Sequence, residues 1–204
     1  MSQIKLKHSG GNSVIIAAPD SNPASDRTLK LPSDGDGTIL TTNSSVGKIL
    51  QVVQTTKTDT ASTNSSTFAD ILTVSITPTA ASSKFLLFGD LKIGYSSYQA
   101  AIMWKFVRTV SSSDTDLFIG DAAGSRSRCT WGTEEPSDSN NAIYETHTTN
   151  GNFLDSPNTT SEITYRVKWK AQQQTGYLNR CGDDSNNAAY PRTASSLTVM
   201  EVAA

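Results

Sequence analysis

The feature of this sequence that most constrains its fold is a two-residue alternation of apolar and polar side chains within short runs. The clearest run is Glu162–Ala171, in which Ile163, Tyr165, Val167 and Trp169 share one parity and the intervening residues are mostly basic. A β-strand places successive side chains on opposite faces. The run therefore predicts a strand with one buried and one solvated face.

Similar runs of β-branched and aromatic residues recur along the chain, separated by Gly, Pro, Asn, Asp and Ser. The predicted strands are Lys48–Thr58, Thr67–Thr77, Lys84–Ile93, Ala100–Val110, Asp116–Gly120, Arg126–Trp131, Ala142–Thr149, Asn152–Leu154, Glu162–Ala171, Gly176–Cys181 and Ser196–Val202. The connections are too short for crossover helices, so the sheets are expected to be antiparallel. We predict an all-β fold, an antiparallel β-sandwich of the jelly-roll type.

Three local details of these strands are also predictions. We expect one hairpin through the residues 121–124 and a second around the dipeptide Asn150-Gly151. In Lys84–Ile93, Leu86 and Phe88 lie on the face opposite the other apolar residues. Part of this strand is therefore expected to be covered on both sides.

The first 46 residues differ from the rest. They contain three short apolar runs whose large aliphatic side chains are too few to close a core of their own. We predict two regions, an attachment segment at Met1–Val46 that buries its apolar side chains against another chain and a jelly-roll head at Gly47–Ala204. The residues expected to form this contact are Val14, Ile15, Ile16, Leu29, Leu31, Ile39 and Leu40.

Composition excludes several classes of partner. The chain has 17 basic and 19 acidic residues, a net charge of −2, which supplies no cationic field for nucleic acid. It has no apolar run of the ~20 residues that a membrane-spanning helix needs, so membrane insertion is not expected. The N-terminus shows no secretory signal pattern. We therefore expect the chain to be made in a cytoplasm.

The sequence offers little catalytic or metal-binding chemistry. Cys129 and Cys181 are expected to be reduced thiols, with one disulfide between neighbouring strands as the alternative. A nucleophilic pair of Cys129 with His147 has no support from spacing, and His8 is the only other histidine. We predict no catalytic residues, no cofactor and no metal site.

Two further patterns have a plain and a functional interpretation. The acidic stretches 34–37 and 183–187 are interpreted as turns, with cation binding as the alternative. The basic stripe of Arg166, Lys168 and Lys170 is interpreted as a solvated face, with pairing to an acidic neighbouring subunit as the alternative.

Tyrosine and tryptophan residues recur in or beside the predicted loops. Exposed aromatic rings stack on sugar faces and provide rigid contact area. The candidate contacts for a glycan or other receptor are Tyr98, Trp131, Tyr177 and Tyr190, with Tyr95 and Tyr144 in similar settings. The alternative is that these rings cap the sandwich or pack between subunits.

Several stretches resemble phage proteins. The pattern Arg27-Thr28-Leu29-Lys30-Leu31-Pro32 followed by Gly37-Thr38-Ile39-Leu40-Thr41-Thr42 resembles the N-terminal modules of tail-fibre and virion surface proteins of marine cyanophages and related podoviruses. The stretches 153–160 and 195–202 resemble the globular heads of the same proteins. More distantly, the strand series is similar to trimeric jelly-roll heads of the tumour-necrosis-factor and complement type.

The resemblance implies a homotrimeric structural protein of the virion exterior, without catalytic residues. Two functions stay open at this point. The head is either part of a tail fibre or spike that binds a host-surface receptor such as a polysaccharide, or a decoration protein that cements the capsid. The N-terminal pattern favours the fibre or spike.

Overall fold

The computed structural model describes residues 3–7, 9–11, 13–17, 48–134 and 142–203. The chain divides into two units, Met1–Ser44 and Ser45–Ala204, which are described separately. In the first unit, β1 (Gln3–Lys7) and β2 (Ser13–Ala17) form an antiparallel pair. The predicted strand around Val14, Ile15 and Ile16 corresponds to β2. Leu29, Leu31, Ile39 and Leu40 lie outside the described residues.

The second unit is built of antiparallel strands. Its strands are β3 (Ile49–Lys57), β4 (Ala61–Thr63), β5 (Ala69–Ile76), β6 (Lys84–Tyr95), β7 (Ala101–Val110), β8 (Ser113–Leu117), β9 (Trp131–Glu134), β10 (His147–Asp155), β11 (Ile163–Gln173), β12 (Gly176–Leu178) and β13 (Ser195–Val202). Among the described residues the only helical element is one 3₁₀ turn, Ala142–Tyr144. None of them forms a helix long and apolar enough to cross a membrane.

The strands form two sheets with jelly-roll order. In the first sheet β3, β13, β6 and β10 are successive neighbours, and β12 continues beside the end of β6 and pairs with β4. In the second sheet β5, β11 and β7 are successive neighbours, and β8 and β9 share the remaining edge of β7. The chain passes repeatedly from one sheet to the other, as it does in a jelly roll. The prediction of an all-β antiparallel sandwich is confirmed.

The core lies between the sheets and takes one parity from each strand. In β11, Ile163, Tyr165 and Val167 are fully buried while Arg166 and Lys168 are only partly buried, so the predicted alternation is confirmed over these residues. Lys170, which was expected on the solvated face, is instead buried. The largest fully buried side chains are Trp104, Tyr95, Tyr165, Phe85, Phe106, Leu87, Leu91, Ile93, Ile102, Ile163, Leu178 and Leu197. Burial of about twenty such residues is the main force that holds the sheets together.

The prediction of a hairpin at Asn150-Gly151 is wrong, because β10 runs through this dipeptide without a turn. Gly151 pairs with Gly89 of β6, and together they receive aromatic rings from the second sheet. A Cβ atom on Gly151 would lie 2.6 Å from Cη2 of Trp104, and one on Gly89 would lie 3.0 Å from the ring of Phe106. Gly151 therefore allows close packing across the core and does not form a turn.

The predicted hairpin through residues 121–124 is also wrong in its pairing. The strands before and after that loop both pair with β7 instead of with each other. β8 follows β7 through a two-residue turn in which Ser111 and Ser112 have φ values of 49° and 64°. Positive φ at both positions is the geometry of the tight turns that suit hairpins. Because serine rarely adopts it, the sequence did not indicate the turn.

Candidate functional site

A cluster of tyrosines lies at the end of the sandwich where β6 stops. Gly182 approaches this end so closely that a Cβ atom there would lie 2.0 Å from the carbonyl oxygen of Tyr95. The loop after Gly182 is fixed to the 3₁₀ turn because Asp183 N–H donates to the Ile143 carbonyl at 2.7 Å. The rings of Tyr144 and Tyr190 stack with their centroids 5.5 Å apart and 15° between their planes.

The four predicted receptor residues have different settings. Tyr98, in the β6–β7 loop, is 46% exposed. Tyr177 is half-buried because the Arg180 guanidinium lies over its ring, 3.6 Å from the centroid. Tyr190 is half-buried against Tyr144, which is itself 41% exposed. Trp131 is half-buried at the start of β9 and packs against the hydrophobic core.

The structure thus places three of the four at one end of the sandwich. The Tyr98 loop is joined to the start of β12 because Ser96 N–H donates to the Thr175 carbonyl at 2.9 Å, and Tyr177 follows in β12. We call Tyr98, Tyr144, Tyr177 and Tyr190 the tyrosine end. Tyr144 is more exposed than its stacking partner Tyr190. The only sequence signal for Tyr144 was its position in or beside a predicted loop, which it shares with the other tyrosines.

Ion pairs fix the loop that carries Tyr190. The Asp184 carboxylate binds the Arg192 guanidinium and also lies 4.0 Å from Nη1 of Arg180. Partial desolvation and the negative charge of Asp183 raise the pKa of the Tyr190 hydroxyl above its ordinary value, so the ring is a neutral hydrogen-bonding group at neutral pH. A rigid surface of rings and guanidinium groups suits contact with a polar ligand such as a sugar.

The acidic stretch 183–187 forms turns in this loop. Asp183 Oδ1 accepts a hydrogen bond from Ser185 N–H at 2.9 Å, and Asn187 Oδ1 accepts one from Ala189 N–H at 2.9 Å. The Asp184 carboxylate forms an ion pair with Arg192. Among the described residues no cluster of three or more His, Cys, Asp or Glu side chains could hold a metal ion. The other acidic stretch, 34–37, lies outside the described residues.

The two cysteines are both free thiols, so the alternative of a disulfide is not observed. Cys129 lines a cavity of about 370 Å³ in the second sheet beside Met103 and Gly132, and burial raises the pKa of its thiol. His147 begins β10 in the first sheet, where its ring packs edge-on against Tyr95 at 5.2 Å. A thiol held in its protonated form is a poor nucleophile. His8 lies outside the described residues.

The outer face of the second sheet is densely charged. Arg166 lies 3.2 Å from Asp70 and 3.6 Å from Asp114, and Lys168 lies 2.8 Å from Asp114. The hydrogen bond from Lys168 holds the pKa of Asp114 below its ordinary value. Lys105 pairs with an aspartate of β8 in the same way. Arg166 and Lys168 are therefore neutralised within their own chain, and pairing to a neighbouring subunit is not needed to explain them. The interpretation of Lys170 as part of a solvated face is wrong, because Lys170 is buried and donates to Ser127 Oγ at 2.6 Å and to Gln172 Oε1 at 3.0 Å.

The outer face of the first sheet is uncharged over most of its area. Its central residues alternate with the buried ones along β3, β13, β6 and β10 and comprise Val52, Gln54, Leu86, Phe88, Asn152, Leu154, Thr198 and Met200. We call this set the uncharged face. Val52 is 56% exposed, Leu154 50% and Phe88 39%. The sequence signal for it was the presence of apolar residues on both parities of β6.

Comparisons with known proteins show similarity at the level of coordinates only. No protein-family model matches the chain. No curated protein matches it in sequence. Among solved structures, the infectious bursal disease virus VP2 subviral particle aligns with a TM-score of 0.43 and 11% identity, over 75% of this chain and 32% of that one.

Two further structures of the same virus are similar in the same way. The Gx strain aligns with a TM-score of 0.36 and 12% identity over 76% of this chain, and the Gt strain with 0.38 and 11% over 95%. This chain spans 37% and 48% of their lengths, respectively. The jelly-roll assignment therefore rests on the strand order and register given above.

Proposed function

We propose that this chain is a structural protein of a virion exterior, a homotrimeric tail-fibre or spike component whose head contributes to binding of a host-surface receptor. The role is mechanical and non-catalytic. In this proposal Met1–Val46 attaches the protein to its own copies and to other virion proteins. The head, Gly47–Ala204, displays its loops to the host.

The observation that carries the proposal is the tyrosine end on a rigid jelly-roll sandwich. Tyr98 and Tyr144 are exposed rings on segments that backbone hydrogen bonds hold in place. The Tyr98 loop is bonded to Thr175 before β12, and the 3₁₀ turn that contains Tyr144 is bonded to Asp183 in the loop after Gly182. Rings fixed in this way lose little conformational entropy when they bind, so they contribute affinity efficiently. The resemblance of the N-terminal pattern to phage tail-fibre modules supports the location of the protein on a virion.

Bonds across the core support the same role. Arg108 of β7 pairs at 2.7 Å with Asp155 of β10, and Tyr165 of β11 donates to the same carboxylate at 2.8 Å. Trp104 Nε1 donates to Thr149 Oγ1 across the sheets at 3.0 Å. Such buried bonds must all break for the sheets to separate, which slows unfolding. A protein exposed outside a cell requires this kinetic stability.

The virion location is tested on particles. An antibody against the head is expected to label purified virions at the tail or spike, and an excess of the purified protein is expected to slow adsorption of the phage to host cells. Virions that lack the protein would contradict the structural role. Labelled virions whose adsorption does not respond to the free protein would contradict receptor binding alone.

The receptor surface is tested by substitution. Y98A/Y144A is expected to abolish the competition with adsorption, because it removes the two exposed rings of the tyrosine end. Phe118→Ala serves as the control, because this ring is 51% exposed, follows the end of β8 and is not part of the tyrosine end. Equal competition by both variants would show that the tyrosine end is not the receptor surface.

Capsid decoration is the second candidate, and the uncharged face favours it. A flat apolar sheet face could seat the head on a shell of other proteins, which a receptor-binding head does not require. In that case the antibody would label the whole capsid in many copies, and free protein would leave adsorption unchanged.

A further inference from the structure

We propose that the uncharged face of the first sheet is buried against a second copy of this chain in the assembled protein. The inference rests on the proposed function in one respect, since that function requires copies of the chain to associate. The inference goes beyond the proposed function because it assigns the contact to the outer face of β3, β13, β6 and β10, whereas the sequence predicted association through the N-terminal segment only.

Strand register builds the apolar centre of this face. Met200 of β13 is paired with Val52 of β3 on one side and with Leu86 of β6 on the other. Leu86 is in turn paired with Leu154 of β10. Four apolar side chains therefore form one continuous row across four strands, with Met200 and Leu86 in the middle.

The neighbouring rows extend the same character. One row joins Gln54, Thr198, Phe88 and Asn152 in register, and none of these side chains is charged. Gln54 Nε2 donates to Thr198 Oγ1 at 2.6 Å, so this pair presents few unsatisfied groups to a partner. On the other side of the central row, Val202 is paired with both Ile49, which is 59% exposed, and Lys84.

Charges appear only towards the margin of the face. Lys84 lies at the margin beyond the apolar rows, and Asp90 and Lys92 pair with each other at 2.5 Å at the opposite margin. An apolar centre that includes Met and Phe, surrounded by polar and then charged residues, is the usual composition of a protein interface. A solvated sheet face normally has charges throughout, as the second sheet does here.

The uncharged face is large enough to form the centre of a subunit contact. Four strands spaced ~4.8 Å apart and two rows spaced ~6.8 Å apart give its eight residues a flat footprint of about 260 Å². The two flanking rows, which include the charged residues Lys84 and Asp90, bring the footprint to about 500 Å². A standard interface buries roughly 800 Å² on each partner, so the uncharged face with its flanking rows supplies the central part of such a contact.

Another copy of the chain fits this uncharged face, because the proposed function already requires copies to associate and identical uncharged faces do not repel each other. Two uncharged faces can approach each other without repulsion, whereas copies that met through the second sheet would have to desolvate Asp70, Asp114, Arg166 and Lys168. The first sheet is therefore the face through which identical chains can associate at the lowest cost.

The test is sedimentation velocity of the full chain over a concentration series centred on about 20 μM. Wild type is expected to sediment as an oligomer, and V52E/L154E is expected to dissociate at a concentration about 100-fold higher or more, because the variant buries like charges in the contact. The control is T73E/S75E, which adds two glutamates to exposed positions of β5 on the charged face. It is expected to remain oligomeric. Circular dichroism checks that each variant is folded.

Each outcome decides the inference. The inference is overturned if folded V52E/L154E dissociates at the same concentration as the wild type, because the N-terminal segment alone then holds the copies together. It is also overturned if the wild type is monomeric throughout the series. If V52E/L154E does not fold, V52T/L154T replaces it; about tenfold weaker association supports the inference and unchanged association overturns it. The particle experiments above report on the virion role independently, so failure of one leaves the other testable.

Discussion

The ion pair between Arg108 and Asp155 offers the sharpest prediction about stability. Asp155 is 4% exposed and belongs to the first sheet, whereas Arg108 and Tyr165 belong to the second. Asp155→Ala would leave the Arg108 guanidinium without its anion and the Tyr165 hydroxyl without its acceptor. Burial, followed by the neighbouring charge of Asp155, raises the pKa of Tyr165 well above its usual range, so the tyrosine stays a neutral donor throughout.

The magnitude follows from which charge remains buried. Breaking a buried ion pair by removing one partner costs about 3–5 kcal/mol. Because the Arg108 side chain is 20% exposed and water can reach it, we expect about 3–4 kcal/mol for Asp155→Ala, including the loss at Tyr165. A domain of this size loses about 2–4 °C of Tm for each kcal/mol, which corresponds to a decrease of roughly 6–15 °C.

The assay is urea unfolding followed by circular dichroism at one fixed protein concentration, because association contributes to apparent stability. Tyr165→Phe removes only the neutral donor and is expected to cost about 1 kcal/mol. R108M/D155L removes both charges and is expected to be more stable than Asp155→Ala. A loss below ~1 kcal/mol for Asp155→Ala, or a double variant less stable than it, would refute this reasoning.

Three further predictions concern Glu201, Gly151 and Asn179. Burial opposes ionisation of Glu201, but the N–H and hydroxyl of Thr79, together with other donors, bind its carboxylate and bring its pKa below the ordinary 4.5. The ionised carboxylate of Glu201 therefore stabilises the fold fully above pH 4.5, and this stabilisation is lost as the pH falls through the lower pKa of the folded protein. In Glu201→Gln this part of the acid sensitivity should disappear from melting curves recorded at different pH values, and identical curves for variant and wild type would contradict the prediction. Gly151→Ala should lower the unfolding free energy by about 1–3 kcal/mol, because its Cβ atom would clash with the ring of Trp104. Gly120→Ala is the control and should be neutral, because a Cβ atom there has no neighbour within 4 Å; equal effects of the two variants in urea unfolding would rule out the clash. Asn179 is fully buried at φ 62° and its amide donates to two carbonyls at 2.7 and 2.9 Å, so Asn179→Ala should cost about 2–4 kcal/mol in the same assay, and a loss under 1 kcal/mol would count against these bonds.

The sequence was sufficient to predict the fold class because strand formation is a local property. The alternation in 163–169, with its buried residues on one parity, corresponds directly to the first part of β11, whereas Lys170 is buried on the other parity. Turns and pairings were less predictable, since they depend on distant residues. Gly151 has the local signature of a turn, but its conformation is set by Trp104 from the other sheet. Likewise, β8 and β9 both pair with the same edge of β7, and the local sequence of the two strands does not predict this pairing.

The candidate sites show the same limit. An aromatic residue in a loop can be recognised from sequence, but its exposure cannot, so Trp131 and Tyr98 looked alike although one packs on the core and the other faces solvent. The uncharged face was partly visible as Leu86 and Phe88 on the second parity of β6. Its extent depends on register across four strands, which only the structure provides.

The central claim is that the uncharged face is covered in the assembled protein while the tyrosine end is in solvent. Hydroxyl-radical footprinting tests this most directly, with the rates of Met200 and Phe88 in the wild type compared with those in V52E/L154E. We predict that both residues react several-fold more slowly in the wild type, while Tyr98 reacts at the same rate in both proteins. Equal rates for Met200 and Phe88 in the two proteins would contradict the claim.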